Sequence, residues 1–401
     1  MTHLPHPTNH NGNLIRYAVN DILTWNKEAN QLQFLKDYYK LVKYHLDEHL
    51  PKKIPSFPTV DELRSRAEQE FINYYGLFPT CAVFAPGCFT IAGKSANLVE
   101  SKSLSMVGAN SGISVAVHCE PQFLVCTIAE YALSYNRNAI QLVTLVVGKR
   151  RHGSKWCQVK MFLDKNAGET FELRLNNENL HIHAEETSWI RYLKGTIRSF
   201  KNRRAYIPGF QIVIVSSLPA KHNFGSSSAL VVALYTFFEA ITNPHAESII
   251  EKTLICHIAE ELAAGSGKIR ISDILTSIIG SESQIFAIDP QSLHIDRYQW
   301  NAIDVEFILI ELANVKKKSY GIPIRYTNET CYKEIMTVIN TMSRWRTHPI
   351  GVSMMKFLFS QRTMEMANDI IDRDRRIVKM TDAIRKEQWN VLGRILSNGS
   401  L

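Results

Sequence analysis

The stretch FQIVIVSSLPAKHNFGSSSALVVALYTF, from Phe210 to Phe237, constrains the fold of this chain more than any other. Its first residues are apolar apart from Gln211 and rich in β-branched side chains, the mark of a strand covered on both faces. A loop follows, and then a segment through Asn243 whose apolar residues run all round a helix, so that helix is buried as well. A buried strand feeding a buried helix suits a sheet with helices packed on it rather than a bundle or sandwich. At such a junction the first N–H groups of the helix point outward with the positive end of its dipole behind them, which suits an anion such as phosphate. Ser226, Ser227 and Ser228 sit there. Their hydroxyls can cap those N–H groups or reach a phosphate or its Mg²⁺.

Elsewhere the patterns alternate. Helical spacing runs from Asn30 to Leu50 and again from Thr59 to Tyr75, where Thr59 and Glu62 form a capping box and Gly76 closes the helix. TCAVFAPGCFTIAGK reads as an apolar strand broken by Pro86 and Gly87, and Ile113 to Leu180 is mostly short strands. WIRYLKGTIRSF is a helix, SQIFAIDP and DVEFILIELAN are strands, and the remainder is helical. The predicted class is α+β. At 401 residues, two domains of ordinary size are expected.

Apolar residues at 45% and charged residues at 21% match a folded globular protein. The net charge of +8 is a small excess of 46 basic over 38 acidic side chains, spread over short clusters such as Gly148–Lys155, Phe200–Arg204 and Val315–Lys318. These read as turns and helix ends, so no nucleic-acid or membrane partner is inferred, while a basic cleft for a small anion remains open. Seven scattered cysteines without a C-x-x-C pair argue against zinc or a disulfide framework and for a reducing compartment. With no apolar h-region near Met1 and no apolar run of spanning length, the expected location is cytoplasmic.

Several ordered stretches then carry a resemblance. FINYYGLFPTCAVFAPGCFTIAGKSANL, VSSLPAKHNFGSSSALVVALYTF and CHIAEELAAG with ISDILTSIIGSESQIFAIDPQSL resemble three segments of the galactokinase branch of the GHMP small-molecule kinases. WIRYLKG and NVKKKSYGIPIRYTNETC add weaker matches in the same order, and the likeness covers Phe71 to the C-terminus. The resemblance implies a two-domain kinase fold, ATP and Mg²⁺, and transfer of the γ-phosphoryl of ATP to the C1 hydroxyl of galactose or a related sugar. It makes Asp273 the catalytic base, although the residue pattern alone suits an N-cap for a helix beginning at Ile274. It makes Glu260 the metal ligand, with Glu261 as the neighbouring alternative, and gives the partnering hydroxyl to Ser226 or Ser227. The nucleotide cradle falls on Lys221, His222, Asn223, Gly225, Ser226, Ser227 and Ser228, and the sugar contacts on Lys94, Ser95, Asn97 and Asp273.

The chain also departs from that pattern. The family's first-motif arginine falls on Cys88, whose neutral thiol offers neither charge nor forked donors. The sugar-binding carboxylates fall on Lys94 and Asn97, and three cradle glycines fall on Lys221, His222 and Asn223. Lys221 or Lys94 is the candidate replacement cation. The likeness ends before the family's third, glycine-rich motif, so an incomplete C-terminal domain is expected. The implied division is an N-terminal helical extension over 1–70, a nucleotide and sugar domain over 71–300 and a partial second domain over 301–401. The expected activity is galactokinase-type but reduced or lost, the alternative being a non-catalytic relative that senses a ligand or binds a protein partner.

Overall fold

A computed structural model describes residues 60–93, 102–107, 113–119, 142–163, 168–204, 206–218, 224–242, 245–265, 269–280, 284–300, 307–312, 335, 337–339, 341 and 358–397. In chain order these form α1 (Val60–Tyr75), β1 (Cys81–Pro86), β2 (Cys88–Ala92), β3 (Ser103–Val107), β4 (Ile113–Cys119), β5 (Val143–Arg151), β6 (Trp156–Leu163) and β7 (Glu169–Arg174). Then come α2 (Ser188–Arg204), β8 (Gly209–Ser216), α3 (Ser226–Thr242), α4 (Ile249–Ala264), α5 (Ile271–Ile279), β9 (Gln284–Asp289), β10 (His294–Gln299), β11 (Phe307–Leu312), α6 (Gln361–Arg385) and α7 (Trp389–Ser397).

The strand that opened the sequence, β8, lies at the centre of a five-stranded sheet ordered β1-β5-β8-β6-β7. It pairs antiparallel with β5 and parallel with β6. Its side chains alternate as a pleat requires. Val213 and Val215 join Val143, Leu145 and Val147 of β5 on one face, against Leu63, Ala67 and Phe71 of α1. Those three positions are four residues apart and form a single stripe along the helix. Phe210, Ile212 and Ile214 point to the opposite face, where α2, α3, α4 and α5 cover the sheet in the main core. Aromatic rings knit that layer: Phe238 of α3 lies 5.3 Å from Phe210 and 5.6 Å from Phe200 of α2. This double covering is why β8 carries an almost continuous apolar run and α3 is apolar on all sides.

A second sheet, ordered β10-β9-β3-β2, meets the first where β1 passes into β2. Leu275 of α5 packs on Phe286 and Ile288 of β9. β4 and β11 form a separate parallel pair. Met380, Ala383 and Ile384 of α6 and Leu392 of α7 are buried in the main core, and Trp389 packs against Trp300 at 4.8 Å between ring centroids, the rings tilted by 60°.

The mixed architecture and most of the read elements stand as expected. Pro86 and Gly87 do divide β1 from β2, and Gly76 closes α1 with φ +64°, donating its N–H to the Ile72 carbonyl at 2.8 Å. The helix expected over Asn30–Leu50, Thr59 of the capping box and the cluster Val315–Lys318 lie outside the described residues. Two strands escaped the sequence reading. β10 is a sheet edge with mostly exposed side chains, and β3 carries Ser103 and Ser105 in its buried run, so neither shows an apolar pattern. The other basic clusters sit at the turn after β5 and at the end of α2. No helix among the described residues is long and apolar enough to cross a membrane.

Candidate active site

The start of β2, the start of α3, the middle of α4 and the start of α5 converge at one place. Hydrogen bonds to backbone carbonyls fix the convergence. Cys88 N–H donates to the Phe224 carbonyl at 3.0 Å, tying β2 to the turn that enters α3. Ser277 donates to the Pro86 carbonyl at 2.7 Å, tying α5 to the end of β1. Between the two, Gly225 adopts φ +62°, and a Cβ there would stand 2.5 Å from the Cys88 Sγ. Only glycine satisfies both the positive φ and that close approach.

Asp273 lies in the first turn of α5, 6% exposed. Arg270 Nη2 and Nε both reach its Oδ2, at 2.8 and 2.9 Å. Thr90 of β2 donates to Oδ1 at 3.3 Å, and the buried Cys88 thiol donates to the same carboxylate. Burial pushes the Asp273 carboxyl above its ordinary range, while the charge and hydrogen bonds of Arg270, then Cys88 and Thr90, pull it back. Burial, with the neighbouring Asp273 charge, drives the Cys88 thiol well up, so it stays protonated and serves as a donor.

Glu260 of α4 is 4% exposed. Ser228 Oγ donates to its Oε2 at 2.9 Å, and the Ser227 hydroxyl is hydrogen-bonded both to Glu260 and to Tyr192 of α2. Desolvation pushes the Glu260 carboxyl up to about 7 against those serine bonds. Asp273 adds to the rise and Arg270 opposes it, so the charges of all three groups act on one another.

The sequence-derived candidates sort accordingly. Asp273, Gly225, Ser226, Ser227, Ser228 and Glu260 lie around this junction, and Glu261, the alternative to Glu260, is exposed. Lys94, Ser95, Asn97, Lys221, His222 and Asn223 lie outside the described residues. One expectation is corrected: Asp273 is not the helix cap, because α5 begins at Ile271 with Arg270 as its N-cap residue. The Asp273 side chain turns instead to Arg270, Thr90 and Cys88. The hydroxyls hydrogen-bonded to Glu260 are those of Ser227 and Ser228. Sequence reasoning missed Arg270, Thr90 and Tyr192. Arg270 had a signal in its spacing, three residues before Asp273 at a helix start. Thr90 had one in its position two residues after Cys88, on the same face of a strand.

A β-strand, a serine-headed buried helix and a buried acid–base cluster meet at this junction. Residues 191–281, which hold Tyr192, the α3 serines, Glu260, Arg270 and Asp273, match the GHMP kinases N terminal domain. Galactokinase of Homo sapiens is 23% identical over 341 residues, covering 84% of this chain and 77% of that protein. Galactokinase of Canis lupus familiaris is 24% identical over the same length and shares. The crystal structure of Lactococcus lactis galactokinase complexed with galactose shares the fold at a TM-score of 0.53 and 14% identity, covering 83% of this chain and 77% of that one. The chain is therefore similar to the galactokinase branch of the GHMP kinases and shares its fold, with the GHMP kinases N terminal domain matched over residues 191–281.

Proposed function

We propose that the chain is a galactokinase-type phosphotransferase that moves the terminal phosphoryl of ATP to the C1 hydroxyl of galactose or a related sugar, at a reduced rate. The observation that carries this is the convergence of Asp273, Arg270 and the Glu260–serine set at one helix-headed junction. Phosphoryl transfer is mostly positioning and charge stabilisation, and these are the groups it needs. Asp273 takes the proton of the sugar hydroxyl as that oxygen bonds to the γ-phosphorus. The bond from phosphorus to the bridging oxygen breaks, and ADP leaves.

The described residues contain no cluster of three or more His, Cys, Asp or Glu side chains that could hold a metal by itself. One carboxylate, Glu260, with the hydroxyls of Ser227 and Ser228, would hold an Mg²⁺ brought by the nucleotide. Such an ion, when bound, neutralises charge on the phosphates. The reduced rate follows from Asp273 itself, whose oxygens already receive Arg270, Thr90 and Cys88 and so are less free to receive a sugar hydroxyl. In this proposal the sugar and nucleotide site lies within 71–300, a cytoplasmic location is assumed, and 1–70 and 301–401 are the flanking extension and second domain.

The same crowding of Asp273, together with Cys88 in the family arginine's place, favours a second reading, a non-catalytic relative that binds ligand and signals to a protein partner. Incubation with Mg²⁺-ATP and a panel of sugars and polyols, paired with thermal shifts, separates the two. Appearance of a phosphorylated sugar supports the kinase. Stabilisation by nucleotide or sugar without any product supports the sensor and overturns the kinase.

A further inference from the structure

We propose that Arg270 is the cation of this site, holding Asp273 with two contacts and presenting its remaining N–H groups to the terminal phosphoryl of a bound nucleoside triphosphate. This rests on the kinase reading above and names the group that meets the transferred phosphate. The start of β2 cannot supply that charge. Cys88 is 1% exposed and protonated, and the 2.5 Å between its Sγ and a Cβ at Gly225 leaves no room for a longer side chain without moving the entrance to α3. The opposite wall does supply it. Arg270 stands on the turn before α5, and its charge acts on Asp273, Cys88 and Glu260 alike.

Two features separate Arg270 from a purely structural partner. Its Nη2 and Nε contact one carboxylate oxygen, Oδ2. Of the five N–H groups a guanidinium carries, about three are thereby left over, in the plane that suits a phosphate. Moreover its side chain is 22% exposed, against 9% for Asp273, so the guanidinium stands between the buried carboxylate and solvent. Helix formation does not account for the choice of residue either. A cation at a helix N-terminus opposes the dipole, and Arg270 makes no side-chain cap bond.

The test is calorimetric titration of the full chain with Mg²⁺-ATP and with Mg²⁺-ADP, for wild type, Arg270→Ala and Arg270→Lys. Wild type is expected to prefer ATP. Arg270→Ala should weaken ATP about ten-fold or more, the worth of a charge-assisted bond, while moving ADP little. Arg270→Lys, which keeps the charge without the fork, should fall between them and serves as the informative variant where Arg270→Ala fails to fold. Equal losses for ATP and ADP, or an unchanged preference in both variants, would overturn the assignment, as would a wild type without any preference. Because binding is read, the outcome is distinguishable from failure of the kinase reading. An Arg270-dependent preference for ATP with no phosphorylated sugar leaves the cation in place and removes the enzyme.

Discussion

The two buried carboxylates of the site have opposite company. Asp273, at the start of α5, faces a guanidinium, a hydroxyl and a thiol. Glu260, in the middle of α4, is hydrogen-bonded, among the described residues, by the hydroxyls of Ser227 and Ser228. Both are desolvated, and desolvation disfavours charge in each. Among the described residues, only the first has a cation in direct contact to offset it. Desolvation raises both carboxyls, opposed at Asp273 chiefly by the Arg270 charge and at Glu260 chiefly by the serine hydroxyls. The contrast lies in the partners rather than the carboxyls, and it can be broken one partner at a time.

The largest expected effect comes from Asp273→Ala, which leaves Arg270 facing an empty buried position. Breaking a buried pair by removing one member costs about 3–5 kcal/mol, and denaturant unfolding should show a loss at the low end of that range because Arg270 is partly exposed. An unchanged unfolding midpoint would mean that the pair is not formed in solution.

Next is the pH dependence set by Glu260. The unfolded chain releases this proton near 4.5 and the folded chain near 7, so between them the folded state binds more protons. Stability from this group is present below the lower value and lost as pH rises through the upper one, by roughly 3 kcal/mol at most. Glu260→Gln should flatten that part of the profile of unfolding temperature against pH. An equally steep fall in the variant would place the titration elsewhere.

Gly225→Ala probes the junction that brings the two carboxylates together. It must accommodate φ +62° and a Cβ 2.5 Å from Cys88 Sγ, and overpacking with left-handed strain costs about 1–3 kcal/mol each. Adding Cys88→Ala should restore the steric share and leave the backbone share, so the two substitutions should not be additive in a double-mutant cycle. The smallest effect is Ser228→Ala, which removes one hydrogen bond to Glu260 and should cost about 1 kcal/mol by the same unfolding measurement.

Much of the frame was legible in the sequence because it follows from covering. β8 and α3 are apolar on all sides because a layer lies on each, and Phe210–Phe237 says so directly. Asp273 and Glu260 were legible through the family resemblance. What was not legible is what depends on partners distant in the chain. Thr90 reaches Asp273 across 183 positions, and Ser228 reaches Glu260 across 32, distances that no local period records. β10 was missed for a related reason, since an edge strand needs no apolar pattern. Arg270 is close to Asp273 in sequence, but Lys94 and Lys221 stand inside the family motifs, whereas the guanidinium on Asp273 comes from outside them.

The most direct measurement is transfer of label from γ-labelled ATP to galactose in the presence of Mg²⁺, followed over long incubation for wild type and Asp273→Asn. Slow appearance of label on the sugar in wild type is predicted, falling about 10²–10⁴-fold when the carboxylate can no longer accept the hydroxyl proton. Label transferred equally by both proteins, or by neither, would contradict Asp273 as the base of a working kinase.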